Sequence, residues 1–301
     1  MEKLKMLGKI KYLYFENKNI IRYLKEIEGK KDNSIEDIMI SYDFQAGSYT
    51  EAYKREPKLK EYFCSCLAKI INNLEDYDSI LEVGVGEGTT LGPLLKKLKK
   101  KIIKCYGFDI SWSRIKYANK FLNEIGINNV YLFCGDLFST PLKDNSIDIV
   151  YTCHSIEPNG GREKEALKEL YRITNKYLIL LEPSYEFASE EARKRMEYHG
   201  YVTNLYKTAK ESGYDVIEHR LFGVSQNPLN PTGLIIIRKN HEEKKFEKSI
   251  QHPICCPVTK TDLIKKNSVY FSNESFLAYP IVEGIPCLLL QNSIVATKFL
   301  D

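Results

Sequence analysis

A chain of 301 residues, 43% hydrophobic and 28% charged, has the length and apolar content for one or two globular domains with a sizeable core. A net charge of +4 is too small to point to a nucleic-acid partner. The apolar runs fall far short of the roughly 20 residues that cross a bilayer, so no membrane span is expected, and the basic start MEKLKMLGKIKYLYF lacks the apolar core and cleavage site of a signal peptide.

Residues 1–50 read as an N-terminal extension of short helices, IIRYLKEIEG among them, with recurring Tyr and Ile that favour order. PKLKEYFCSCLAKIINNLEDY, 57–77, is predicted as an amphipathic helix that opens the next unit. A strand follows at 79–84, a helix in TTLGPLLKKLKK, and an apolar strand within 101–111. Helix 111–125 leads to two further strands within 129–157, then helix 162–174, a fifth strand at 177–184, and one or two helices over 189–213 broken near Gly200. YDVIEHRLF and TGLIIIRK are the last two strands, joined by the polar turn GVSQNPLNP. Such alternation implies an α/β doubly wound sheet, with ligands beyond the carboxyl ends of its strands. NHEEKKFEKSI, 240–250, reads as a linker, and residues 251–301 as a separate small unit, which sets 51–240 as the main domain.

The most informative segment is LEVGVGEGTT, 81–90: a buried strand that runs into Glu82, Gly84, Gly86 and Gly88 at alternate positions. Glycines there permit a tight turn and let a ligand lie against bare backbone. The dinucleotide pattern G-x-G-x-x-G fails at Thr89, and no Gly-Lys-Ser/Thr of a phosphate loop follows. A carboxylate at the mouth also repels a diphosphate. S-adenosylmethionine (SAM), with a cationic amine, a carboxylate and a ribose, fits better. Asp109 ends the next strand about 20 residues on, where nucleotide-binding units hold ribose hydroxyls.

With Asp136 in Cys134-Gly135-Asp136-Leu137 and the run PLKDNSIDIVYTCHSIE, residues 40–240 resemble the class I SAM-dependent methyltransferases, especially those of small molecules and quinones. The resemblance implies a seven-stranded Rossmann-like sheet whose last strand is antiparallel. It implies Glu82, Gly84, Gly86 and Gly88 at the methionine end, Asp109 on the ribose, Asp136 on the adenine amine and Ile110 against the ring, with Leu137 and Cys153 in the same set. Related enzymes often place a tyrosine lid over the methionine; Tyr49 or Tyr42 in SYDFQAGSYT fits that place, though ordinary aromatic packing explains either in a chain with 21 tyrosines.

The C-terminal unit resembles a small zinc-ribbon family that includes the activator subunit of tRNA and translation-factor methyltransferases, on AYPIVEGIPCLLL at 278–290 and Cys256-Pro257. The zinc form would pair cysteines at 256/259 and 272/275; this chain has Cys256, Thr259, Ser272 and Ser275. Three of four thiolates are missing, so an α+β zinc-ribbon-like domain without zinc is expected, docked on its own catalytic domain in cis. Cys105, Cys134 and Cys153 read as small core hydrophobes, Cys64 and Cys66 are a poor metal pair on a helix, and the pattern is that of a reduced, cytoplasmic protein.

Methyl transfer from a sulfonium is an in-line displacement that gains from positioning and, for an alcohol acceptor, from a general base. His154, at the end of the fourth strand, is the first candidate, with Glu157, Glu182 and His199 as alternatives. The end TCHS lacks the Asn/Asp/Ser-Pro-Pro-aromatic motif of base-amine methylases, and no acidic cluster marks a magnesium site. The expected reaction is O-methylation of a small polar acceptor, such as a sugar, nucleotide-sugar or glycan precursor, across a rim of Asn159, Asn227 and Asn230. Methylation of tRNA or a protein, and a non-catalytic SAM-binding scaffold, are the competing readings. Oligomeric state is not legible.

Overall fold

The computed structural model describes residues 2–30, 33–101, 104–239 and 252–301. The linker read at 241–250, with His241, lies outside the described residues.

The N-terminal layer consists of α1 (Glu2–Lys5), α2 (Leu7–Phe15), α3 (Ile20–Glu28), α4 (Ile35–Phe44) and α5 (Ser48–Arg55), the last running across residue 50. Local chemistry sets the ends of these helices. The Asn19 side chain accepts from Arg22 N–H at the start of α3, and Gly29 closes it at φ +64°. Ser34 and Asp37 form a reciprocal capping box on α4. The layer has its own core in Ile10, Ile20, Leu24 and Ile40, and buried Lys3 ties it together through Asp37 at 2.6 Å and Glu28 at 2.9 Å.

α6 (Lys58–Ile71) opens the catalytic domain and ends six residues earlier than expected. The main sheet contains β1 (Ser79–Val83), β2 (Lys104–Asp109), β3 (Val130–Cys134), β4 (Ile147–Cys153), β5 (Thr174–Pro183), β6 (Asp215–Leu221) and β7 (Thr232–Arg238). Between them run α7 (Leu91–Lys97), α8 (Trp112–Glu124), α9 (Glu163–Ile173), α10 (Glu190–His199) and α11 (Leu205–Glu211). Strand order is β3-β2-β1-β4-β5-β7-β6, with β7 antiparallel to both neighbours. The apolar runs of β1, β4 and β5 are buried on both faces, as a sheet covered by helices requires. Leu67, Leu91 and Phe121 pack on one face; Leu167, Leu170 and Leu205 pack on the other. α7 is shorter than the TTLGPLLKKLKK pattern suggests: Leu98 is already extended at ψ 132°.

The C-terminal unit is an antiparallel sheet of β8 (Ile264–Lys266), β9 (Val269–Phe271), β10 (Leu277–Val282), β11 (Ile285–Pro286) and β12 (Ile294–Val295), with one 3₁₀ turn at Leu290–Asn292 and no α-helix among its described residues. It covers the β3 edge. Leu288 N–H donates to Cys134 C=O at 3.0 Å, Cys255 N–H to Pro141 C=O at 2.9 Å, and Lys143 N–H to Pro253 C=O at 2.8 Å. The hydroxyls of Tyr131 and Tyr270 lie 2.7 Å apart across the seam. Along 285–289 the side chains alternate between faces: Ile285, Cys287 and Leu289 join one core and Leu288 the other. The segment thus continues the main sheet beyond its edge strand, satisfying backbone groups that would otherwise be open.

Candidate cofactor and acceptor site

The glycine turn leaves β1 with Gly84, Gly86 and Gly88 all at positive φ, and Val85 N–H pins it to Phe108 C=O at 2.8 Å. A cleft of about 970 Å³, open mouth included, lies over this turn at the carboxyl ends of β1, β2 and β4. Tyr49, Glu82, Gly84, Gly86, Asp109, Ile110, Asp136, Leu137 and Cys153 all line it. Gly88 does not: a β-carbon there would meet Leu122 at 3.3 Å, so this glycine brings the turn against α8 instead of facing a ligand.

Each acid in the cleft has a distinct setting. Glu82 is 2% exposed, accepts from the Tyr151 hydroxyl at 2.9 Å, and is pushed up to about 8 by burial, against the pull of the nearby Lys60 ammonium. A ligand ammonium beside it would favour the charged form. Asp109 accepts from Gly86 N–H at 3.0 Å and Ser111 N–H at 2.9 Å, and burial raises it while Arg114 opposes. Asp136 turns one oxygen to Phe138 N–H at 2.8 Å, and burial raises it too. Cys153 accepts a long contact from the Thr90 hydroxyl at 3.9 Å, and burial pushes its thiol up to about 11.

Three charged residues in the cleft were missed in the sequence. Lys60 reaches in from α6, and Arg114 from α8. Arg114 has a readable signal: with Ile115, Ala118, Phe121 and Leu122 it occupies the buried face of α8 at helical spacing. The third, Glu87, is 2% exposed and caps α5 from a distance, accepting Gly47 N–H at 3.0 Å, Tyr49 N–H at 3.2 Å and Thr50 N–H at 2.7 Å. The acid inside the glycine turn therefore positions the helix that carries Tyr49. Glu87→Ala leaves these N–H groups without their acceptor, and is expected to destabilise the fold by about 2–4 kcal/mol while raising the KM for SAM. Glu87→Gln should lose about half of that. Thermal melts with a SAM titration check both; equal, near-zero effects would remove Glu87 from this role.

His154 sits just past β4 at φ +55°, with its N–H on Leu181 C=O at 2.9 Å. Its Nδ1 lies 2.5 Å from Glu157 Oε2 and its Nε2 2.9 Å from Thr232 Oγ1. Burial pulls the imidazole down, but the hydrogen bond and charge of Glu157 outweigh it and leave the pKa raised. Glu182 lines neither the cleft nor the groove described below. Its carboxylate accepts Ser155 N–H at 3.0 Å, Ile156 N–H at 3.2 Å and Glu157 N–H at 3.0 Å, and burial pushes it up to about 7. It shapes the loop that presents His154 and Glu157.

A second, wider groove of about 1890 Å³, open space included, adjoins the cleft between the N-terminal layer and the end of α10. Tyr42, Tyr49 and His154 line both cavities. Glu157 and His199 face the groove, where Lys18, Arg22, Lys25 and Lys30 outnumber Glu26 and Glu157. Of the expected asparagine rim, Asn159 lines the cofactor cleft, Asn230 Nδ2 donates to Glu157 at 3.2 Å, and Asn227 binds Leu229 N–H within its own loop. His219 stacks on Tyr206 at 3.8 Å, outside both cavities, and His252 is exposed. Among the described residues, no three or more His, Cys, Asp or Glu side chains converge as a metal site.

This sheet order, the glycine turn and the acids at the strand ends define a class I SAM-dependent methyltransferase domain, with S-adenosylmethionine as its cofactor. Residues 80–176 match the family model described as a methyltransferase domain. The chain is similar to YrhH of Bacillus subtilis (strain 168), named as a methyltransferase, at 25% identity over 130 residues, 43% of this chain and 69% of that protein. It is 32% identical to ajmaline N-methyltransferase of Rauvolfia serpentina over 96 residues, 32% of each protein. The match to malonyl-[acyl-carrier protein] O-methyltransferase of Marinomonas sp. (strain MWYL1) is 29% identical over 100 residues, 33% of this chain and 35% of that one. The chain thus spans about a third of the length of the last two. Among solved structures, the complex of the Haloferax volcanii Trm112 methyltransferase activator with a methyltransferase matches with TM-score 0.52 and 16% identity, over 66% of this chain and 98% of that one. That likeness is one of fold.

Proposed function

We propose that this methyltransferase passes the methyl group of SAM to an oxygen of a small, polar, anionic acceptor seated in the groove beneath the N-terminal helices. A sugar phosphate, nucleotide-sugar or glycan precursor is the favoured class. The observation that carries the reading is the His154–Glu157 pair, 2.5 Å apart, with His154 on the wall shared by the cleft and the groove and Glu157 facing the groove. The excess of Lys and Arg around the groove supports an acceptor with negative charge.

In this mechanism the acceptor hydroxyl replaces Thr232 as the partner of His154 Nε2. SAM held in the cleft by the glycine turn, Glu82 and Asp109 would supply the methyl group to that oxygen by in-line displacement, its sulfur leaving with the carbon–sulfur electron pair. The hydroxyl proton passes to Nε2, while Glu157 holds Nδ1–H and stabilises the imidazolium. Because the His154 pKa is raised above its ordinary 6.5, the neutral base accumulates only at higher pH. The rate is therefore expected to climb with pH through a value above 6.5 and then level. His154→Ala should lower kcat by about 10²–10⁴ and remove that limb. A rate unmoved by His154→Ala would leave positioning alone as the source of catalysis.

The acceptor class is tested by incubating the purified chain with methyl-labelled SAM and three cell fractions: small molecules and glycans, RNA, and protein. Label in the first supports the proposal; label in RNA or protein overturns it. A tRNA or protein acceptor would also show strongly salt-dependent binding.

For the C-terminal unit we propose a metal-free ribbon that acts as an activator in cis. Cys256 Sγ lies 3.5 Å from Ser275 Oγ and 3.5 Å from the Tyr279 hydroxyl, and Ser275 N–H donates to Ser272 Oγ at 3.2 Å. Hydrogen bonds thus occupy the neighbourhood where the zinc form holds its metal. Burial in the catalytic domain's two cores supplies the stability a metal would otherwise give.

A further inference from the structure

Arg114 is 7% exposed, lines the cofactor cleft, and keeps two buried nitrogens, Nε and Nη2, without a hydrogen-bond partner among the described residues. A buried guanidinium that lacks two of its hydrogen bonds is costly, and such a cost is offset when a ligand completes them. The group is firmly held. Tyr42 from α4 and Tyr49 from α5 stack on it with ring centroids 4.5 Å and 4.6 Å away, and a β-carbon at Gly86 would lie 3.4 Å from Nη1. Asp109, 6% exposed, faces it with both carboxylate oxygens already anchored by backbone N–H groups.

We propose that Arg114 is a specificity residue for the cofactor ribose, donating from its free nitrogens to the 2′- and 3′-hydroxyl oxygens while Asp109 accepts from the same hydroxyls. Two features favour a neutral diol over an anion. The positive charge of Arg114 is already opposed by Asp109, so a further anion would face that carboxylate. Lys60, beside Glu82 at the other end of the cleft, is the cation left for the methionine carboxylate. A diol also matches the pair chemically, since each hydroxyl accepts from the guanidinium and donates to the carboxylate. The tyrosine stack sets the plane of the fork, so the N-terminal helices bear on cofactor selection through Arg114.

The inference rests on SAM as the cofactor. It is tested by calorimetric titration of the full chain with S-adenosylhomocysteine, adenosine and 2′,3′-dideoxyadenosine. Arg114→Gln should weaken the first two by the same factor, about tenfold or more, and leave the dideoxy compound unchanged. Arg114→Lys keeps the cation over the tyrosines but loses the fork, and should show the same pattern with an unaltered melt. A loss confined to S-adenosylhomocysteine would make Arg114 a carboxylate ligand and overturn the proposal. An equal loss for all three ligands would reduce it to packing, and no loss for any would leave it a structural latch.

Discussion

A chain ending at residue 239 is expected to aggregate instead of behaving as a smaller working enzyme. Its β3 edge would lose Leu288 N–H on Cys134 C=O and the Cys255 and Pro253 contacts to Pro141 and Lys143, leaving an open strand edge. The two cores would lose Tyr279, Ile285, Cys287, Leu288 and Leu289, each at most 5% exposed. At about 1.5–3 kcal/mol for a large buried apolar side chain, the sum is comparable to the whole stability of an ordinary domain. Size-exclusion chromatography and dye binding to exposed apolar surface measure the outcome. Leu288→Asp in the intact chain is the milder companion, placing a carboxylate at a fully buried site, with a melting temperature expected to fall on the order of 10 °C. A monomeric truncation with an unchanged melt would show that the unit contributes nothing to the fold.

Gly84→Ala is expected to abolish cofactor binding. The residue sits at φ +63°, and a β-carbon would meet that of Ser155 at 2.3 Å. Ser155 has little freedom to retreat, because its N–H is fixed by the buried Glu182 carboxylate at 3.0 Å. The left-handed strain and the overlap together cost about 2–5 kcal/mol, and relief requires moving the turn or the His154 loop. Either movement deforms the floor of the cleft. Gly126→Ala is the control: its φ is +80° but nothing lies within 4 Å of the added carbon. Gly126→Ala should lower the melting temperature slightly and leave the affinity for S-adenosylhomocysteine intact, whereas Gly84→Ala should lower that affinity by at least about a hundredfold. Similar affinities for the two variants would mean that the overlap at Gly84 is absorbed without moving the site.

Much of the main domain was legible because its signals are local. Ile80, Leu81 and Val83 run into glycines that only a turn tolerates, and the apolar runs of β4 and β5 are long enough to read as buried strands. The residues expected at the cofactor converge for the same reason: they lie at strand ends, where the doubly wound topology collects side chains. Gly88 differs from Gly84 and Gly86 in facing Leu122 and Ala118 of α8, a difference that equal spacing along the turn does not disclose. Lys60, Glu87 and Arg114 were missed because their roles depend on elements that meet only in three dimensions: α6 over β1, the turn under α5, and α8 beneath two tyrosines. Glu182 read as a candidate base because sequence shows a carboxylate at a strand end but not the three backbone N–H groups that occupy it. The seam along β3 is largely made by backbone atoms, whose partners no residue type discloses.

Tyr42, Tyr49 and His154 form one wall with a cavity on each side. With the cofactor in the cleft and the acceptor in the groove, as proposed, each ligand packs against side chains that the other also needs, and the second to arrive meets a surface already set. The two affinities are linked, and the linkage is reciprocal: whatever factor the cofactor confers on acceptor binding, the acceptor confers on the cofactor. Methyl transfer replaces the sulfonium lying against that wall with a neutral thioether, so the free energy that favours joint occupancy before transfer is altered afterwards. On that proposed seating, product release is coupled to the reaction through two tyrosines and a histidine, with no separate moving part required.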